Sequence, residues 1–173
     1  PLSVVSVDTI KIGNIVSPLK EASDASALPV CSMEEHHRAG LAHQEAGRCS
    51  AALQQYRRAL HCRGHGNWEL TGRILVDIAT VQTELGNVFA AQQALMIALE
   101  IRQRLGKEVA STLCALASVD KENAMEYLTE ALLHATNDEM KAKIWNDMAC
   151  HHDSVGNTTD AESCRKEVRL LLS

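Results

Sequence analysis

The feature that most limits what this chain can fold into is a set of small residues that returns at a fixed spacing. Four positions are reproduced 39 residues further on, namely Gly47, Ala52, Tyr56 and Ala59 and then Gly86, Ala91, Leu95 and Ala98. Ahead of Gly86, residues 75, 78 and 79 are apolar and share one helical face, which predicts a helix, a tight turn and a second helix. A period of this length indicates a helical repeat array, in which no unit buries its apolar face alone.

The composition favours closely packed helices. Only 3% of the residues are aromatic although 46% are hydrophobic, and small or unbranched side chains suit helices better than sheets. A chain of 173 residues is long enough to bury one continuous core. A formal net charge of −5 argues against a general nucleic-acid-binding surface. No stretch approaches the ~18 uninterrupted apolar residues of a membrane span, so we expect no membrane contact.

The negative charge is concentrated in one stretch. Residues 107–140 contain two basic and seven acidic side chains, so this stretch accounts for the entire formal charge of −5. Two interpretations remain open. The stretch either forms an acidic surface that receives a basic segment of a partner, or it is an outer face that is only solvated.

The cysteines form no CxxC motif and no compact framework: Cys31, Cys49, Cys62, Cys114, Cys150 and Cys164. In a helical array they are expected to be buried or half-buried free thiols, which predicts an intracellular protein, cytoplasmic or nuclear.

The runs 61–65 and 150–153 are rich in histidine and cysteine, but neighbours on a helix point ~100° apart and cannot easily converge on zinc. We therefore predict no metal site and no cofactor. The chain also lacks a phosphate-binding glycine-rich loop and a nucleophile elbow, which favours a protein that is not an enzyme.

Residues 1–31 do not follow the repeat. Valine and isoleucine roughly alternate between residues 4 and 16, which favours an extended arm with a short helix close behind. This arm either packs along the array, in its channel or over a terminal helix, or is disordered. A Ser-Pro-Leu-Lys motif beginning at Ser17 matches the pattern of proline-directed kinases, so Ser17 is a candidate phosphosite. The chain opens with Pro1, which is compatible with a fragment of a longer protein.

Capping signals predict where several helices begin. Ser32 opens a capping box, and Asn67 can cap the helix that follows it. We also expect Asp120 to cap a helix over about 121–135, and Thr159 to open the last helix through a second capping box.

The recurrent small residues resemble those of the tetratricopeptide repeat family. The match is strongest around Gly86 and loosest between residues 106 and 136, where Ser111 and Thr112 fit the pattern poorly. The resemblance implies an all-α fold, a right-handed superhelix of about four antiparallel helix pairs. We place the repeat domain at 32–173, after the arm at 1–31, with units at about 32–66, 67–105, 106–136 and 137–173.

In this family the first helix of each unit lines a concave groove. Carried over to this chain, the resemblance implies these groove residues: His37, Arg38, Leu41, Gln44, Glu45, Arg73, Val76, Asp77, Thr80, Glu84, Lys143, Asn146, Asp147, Cys150 and Asp153. It also implies that His43 and His152 are core residues. This mixture of charges suits a partner peptide, extended or helical, of mixed or moderately basic character. His37, Leu41 and Asp77 stand where chaperone-binding members carry lysine or asparagine, so a heat-shock co-chaperone role is not expected.

Two functions from different classes follow. The first is a protein-interaction scaffold or adaptor that binds a partner peptide or helix through the groove, with the arm as a candidate regulator. The alternative is a structural subunit of a larger multiprotein assembly that uses its convex or terminal helix faces. An enzyme or a metal-dependent module has the least support, and the oligomeric state stays open.

Overall fold

The computed structural model describes residues 32–62 and 67–172. The arm at 1–31 and the candidate phosphosite Ser17 lie outside the described residues. Within the described ranges every regular element is an α-helix, which confirms the all-α prediction. The helices are α1 (Met33–Glu45), α2 (Cys49–His61), α3 (Trp68–Glu84), α4 (Val88–Leu105), α5 (Val109–Val119), α6 (Ala124–Leu133), α7 (Asp138–Ser154) and α8 (Thr158–Leu171).

The chain divides into two compact units, and the division falls within α4. Unit 1 ends at Ala98 and unit 2 begins at Leu99. In unit 1, α2 packs against both α1 and α3, and α1 also contacts α3. In unit 2, consecutive helices from α5 to α8 pack against one another. Among the described residues, no helix is long and apolar enough to cross a bilayer.

A glycine in the left-handed conformation closes the first helix of a pair. Gly86 has φ +77°, its N–H donates to the Thr83 carbonyl at 2.9 Å, and the Asn87 N–H donates to the Gln82 carbonyl at 2.8 Å. This pattern satisfies carbonyls that the helix end would otherwise leave unpaired, and only glycine adopts the required φ without a steric cost. Gly47 and Gly156 end α1 and α7 with equivalent bonds, so the turn repeats as the sequence spacing predicts.

The two predicted helix caps in the first half of the chain are confirmed, and the two in the second half are wrong. The Ser32 capping box is formed, and Asn67 Oδ1 accepts from the Leu70 N–H at 3.2 Å. Asp120 does not cap α6, because α6 begins only at Ala124; Asp120 instead accepts two bonds from Asn123. Thr159 is not a cap either, because α8 begins directly after the glycine turn and places Thr159 inside its first turn.

The alanines of the repeat are core residues. Ala52, Ala59, Ala91 and Ala98 are 0% exposed, and the two large members of the set, Tyr56 and Leu95, are 0% and 2% exposed. Small side chains at these places allow neighbouring helices to approach closely, which is how a chain with few aromatic residues fills its interior.

The poor fit of Ser111 and Thr112 to the repeat pattern has a local cause in unit 2. Arg102 is only 8% exposed, and its guanidinium donates to Thr112 Oγ1 at 2.6 Å and pairs with Glu108 at 2.7 Å. Ser111 Oγ lies 3.4 Å from the same guanidinium. A buried charge requires hydrogen-bonding partners, so hydroxyl side chains stand where the family pattern expects apolar ones.

Candidate partner-binding site

The residues implied as groove-lining lie on α1 and α3 in unit 1 and on α7 in unit 2. Ten of them are exposed: Arg38, Leu41, Glu45, Arg73, Thr80, Glu84, Lys143, Asn146, Cys150 and Asp153. Four are half-buried, namely Gln44, Val76, Asp77 and Asp147, and one, His37, is buried. We call the exposed residues of α1 and α3, namely Arg38, Leu41, Glu45, Arg73, Thr80 and Glu84, the unit 1 face.

His37 departs from the expectation of a ligand contact. Its side chain is buried, and its Nε2 lies 2.7 Å from Asp77 Oδ2, so that the imidazole N–H donates to the carboxylate and ties α1 to α3. The ring also lies 5.9 Å from the ring of Tyr56. His37 and Asp77 therefore hold together the two helices that carry the unit 1 face.

Tyr56 of α2 also contacts α1, one of the two helices that carry the unit 1 face. Its hydroxyl donates to Gln44 Oε1 at 2.7 Å, which turns part of the Gln44 amide inward. Burial, followed by the nearby carboxylates of Asp77, Glu84 and Glu45, raises the pKa of Tyr56 well above its usual range. The phenol therefore stays neutral and acts as a hydrogen-bond donor.

The exposed charged residues of the unit 1 face differ in whether they already contact another side chain of the protein. Glu84 accepts from the Cys49 thiol at 3.4 Å, and burial together with this contact raises the pKa of Cys49. Arg38 and Arg73, by contrast, are exposed and make no ion pair with any described residue.

Unit 2 carries a cleft of about 220 Å³ between α5, the start of α6 and α7, which we call the unit 2 cleft. It is lined by Cys114, Ala117, Ser118, Lys121, Ala124, Leu128, Asp147, Cys150, His151 and Ser154. Two residues implied by the family resemblance, Asp147 and Cys150, therefore open onto a shared concavity. Residues such as Lys121 and Leu128 were missed, because no register could be assigned to the third repeat from its sequence.

Burial shapes the chemistry of the unit 2 cleft. It raises the pKa of Asp147, and the ammonium groups of Lys143 and Lys121 offset part of that rise. It also raises the pKa of the Cys114 thiol to about 11, with a further contribution from Asp147. Of the remaining predicted residues on α7, Lys143 and Asn146 are exposed, whereas Asp153 forms an ion pair with Arg165 of α8.

Several histidines and cysteines lie differently from the expectations. His43 and His152 are half-buried rather than core residues, and the buried Nδ1 of His43 has no hydrogen-bond partner among the described residues. Outside the undescribed Cys31, every cysteine is a free thiol, but Cys62 and Cys150 are exposed rather than buried or half-buried. Within 32–62 and 67–172, no three histidine, cysteine or acidic side chains converge in a way that could hold a metal ion.

Comparison with known proteins identifies the fold. No protein-family model and no curated protein matches the sequence. Among solved structures, the chain is similar to a Rap protein complexed with Competence and Sporulation Factor, with 17% sequence identity and a TM-score of 0.65. The match covers 86% of this chain and 44% of the Rap protein, so this chain spans less than half of that protein's length. The Rap protein has a tetratricopeptide-repeat fold, and the all-helical chain described here is a tetratricopeptide-like helical repeat in its fold.

Proposed function

We propose that the chain is a protein-interaction scaffold that binds peptides or helices of partner proteins, with the unit 1 face and the unit 2 cleft as two separate candidate binding surfaces. The observation that carries this proposal is the pair of exposed guanidinium groups of Arg38 and Arg73, which lack ion-pair partners among the described residues. They stand on two helices that the His37–Asp77 hydrogen bond holds together. Rigid elements that present unsatisfied donors are well suited to recognition.

The side chains suit a partner of mixed charge. On the unit 1 face, Arg38 and Arg73 can form bidentate bonds with partner carboxylates, and Glu45 can accept from a basic residue. Leu41, at 36% exposure, adds an apolar contact. Such charge-assisted bonds along a helical face are one of the recurring ways in which proteins bind peptide segments.

The structural comparison supports the proposal in one respect. The Rap structure is a complex, so a protein with this fold does bind another molecule. We assign no catalytic activity. The residues whose pKa values are raised, such as Asp147 and Cys114, owe the rise mainly to burial, and we see no reaction for which they would be arranged.

The experiment selects binding peptides from a random-peptide display library with the whole chain as bait, and then measures their Kd by calorimetry. We expect Arg38→Glu on α1 and Arg73→Glu on α3 to weaken peptides that bind the unit 1 face at least about tenfold, that is by ~1.4 kcal/mol. The matched controls make the same charge change on exposed residues of second helices, Arg58→Glu on α2 and Lys166→Glu on α8. Equal effects of test and control variants would contradict the proposal.

Regulation by the arm is a separate part of the proposal. If residues 1–31 cover the peptide-binding surface, a chain that begins at Ser32 should bind the selected peptides more tightly than the whole chain does. Phosphorylation at Ser17 would then act through the position of the arm. Identical affinities of the two chains would contradict regulation by the arm, but they would leave the proposed scaffold function unaffected.

A second candidate function, a structural subunit of a larger assembly, is favoured by an apolar stripe on α4. Phe89 is 71% exposed, Met96 is 55% exposed and Val88 is 51% exposed, and their spacing puts them near one side of the helix. Exposed apolar surface of this kind commonly marks a protein interface. The test is whether Phe89→Glu abolishes a stoichiometric co-purifying partner that Arg73→Glu leaves bound.

A further inference from the structure

We infer that the unit 2 cleft is a specificity pocket for one basic side chain, arginine or lysine, of the partner peptide. Its inner acceptor is the carboxylate of Asp147, and its apolar wall consists of Ala117, Ala124 and Leu128. This inference rests on the proposed function and deepens it, because it names the side chain that the peptide would have to present.

The size of the cleft decides what kind of group can enter. Its volume of about 220 Å³ is several times the ~30 Å³ that one water molecule occupies in the liquid, so it has room for a chain of heavy atoms. It is smaller than the ~300–1,000 Å³ typical of pockets for small-molecule ligands and cofactors. A single long side chain fits this range better than a cofactor does.

The position of Asp147 decides the charge of that side chain. The carboxylate is half-buried in the cleft and makes no hydrogen bond or ion pair with the described part of the chain. A carboxylate that has lost part of its hydration gains more from an incoming cationic donor than an exposed carboxylate does. An arginine or lysine could lay its methylene stem along the apolar wall and bring its charged head to Asp147.

The surroundings add a long-range preference for a cation. The stretch 107–140, which supplies α5, α6 and Lys121, carries the whole formal charge of −5. Lys121 and Lys143 act against it, since both lie near enough to lower the pKa of Asp147. Both are exposed, where ion pairs contribute little, so a partner cation competes with them at limited cost.

The test titrates the isotope-labelled whole chain with the amide of N-acetyl-arginine and follows backbone NMR shifts. The neutral probe of the same shape is the amide of N-acetyl-citrulline. With the arginine probe we expect saturable chemical-shift changes around Ser118, Asp147 and Cys150. With the citrulline probe at the same concentration, these changes should be at least about tenfold smaller. Asp147→Asn should abolish the difference between the probes, whereas Glu139→Gln, an exposed carboxylate on the same helix, should preserve it.

A second variant tests the sign of the charge effect. Lys121→Gln removes the competing ammonium and should tighten the arginine probe severalfold. The pocket assignment is wrong if both probes bind alike, if the shifts map away from the cleft, or if the amide of N-acetyl-aspartate binds better than the arginine probe. If some displayed peptides lose affinity with Arg73→Glu but none loses affinity with Asp147→Asn, the pocket assignment is wrong and the proposed function still stands.

Discussion

Adding one methyl group at Gly40 is predicted to damage the packing that supports the unit 1 face. Gly40 lies in α1 directly over the ring of Tyr56, which is 0% exposed. A Cβ at this position would lie 2.5 Å from Tyr56 Cδ1, closer still to Cε1, and 3.0 Å from Cζ. Carbon atoms pack comfortably at ~3.5–4.0 Å, so the ring would have to move by ~1 Å or more.

Two opposing effects set the magnitude. Alanine is favoured over glycine within a helix by ~1 kcal/mol. Overpacking a closed core costs ~1–3 kcal/mol, and a shifted ring that loses the hydrogen bond from Tyr56 to Gln44 costs ~1 kcal/mol more. The steric terms outweigh the propensity, because the ring has no solvent side to move into. We expect Gly40→Ala to lower the free energy of unfolding by about 2 kcal/mol.

Urea unfolding followed by circular dichroism measures this free energy. The control is Ala42→Gly at an exposed position of the same helix, which should cost ~1 kcal/mol through propensity alone. If the ring is the obstacle, Gly40→Ala in a Tyr56→Leu background should cost less than in the wild-type background, with a coupling energy above ~1 kcal/mol. A Gly40→Ala chain as stable as the wild type would refute the reasoning.

Three further outcomes are expected. Asp147→Asn should slightly stabilise the fold at neutral pH, because burial raises the pKa of Asp147 and its contribution to stability is lost as the pH rises through the folded-state pKa. The gain measured by thermal unfolding should shrink toward acid pH, and a loss of stability at neutral pH would contradict this. Thr112→Val should cost ~1–3 kcal/mol in urea unfolding, because it removes an acceptor from the buried Arg102 guanidinium; an unchanged midpoint would contradict this. Iodoacetamide should label the exposed Cys150 well before Cys114, because burial raises the pKa of the Cys114 thiol to about 11. Mass spectrometry of the chain labelled in its folded state measures the two rates, and equal rates would contradict the described burial of Cys114.

The sequence predicted the fold because the turns are encoded locally. Gly86, at a positive φ, ends α3 through hydrogen bonds to residues at most five positions away, and a hydroxyl or amide such as that of Ser32 or Asn67 caps a helix within three residues. These signals need no knowledge of the rest of the chain. The small core residues follow from the same period, since each faces its own partner helix.

The site was less predictable because its features depend on contacts between distant residues. The His37–Asp77 bond joins residues 40 apart, and nothing in either local sequence indicates that the histidine is turned inward. The buried Arg102 likewise explains Thr112 only once the two helices are packed. The unit 2 cleft combines α7 with α5 and α6, where the repeat pattern is weakest, so its inner wall could not be assigned from spacing.

The measurement that tests the central claim most directly is carboxyl footprinting of the whole chain, free and bound to a peptide selected by display. A peptide that binds the unit 1 face should lower the labelling of Glu45 and Glu84 severalfold, and a peptide that binds the unit 2 cleft should lower that of Asp147. Labelling of Glu126 on α6 and Glu167 on α8 should stay unchanged. Protection of Glu126 or Glu167, with the other three carboxylates labelled as in the free chain, would contradict the account.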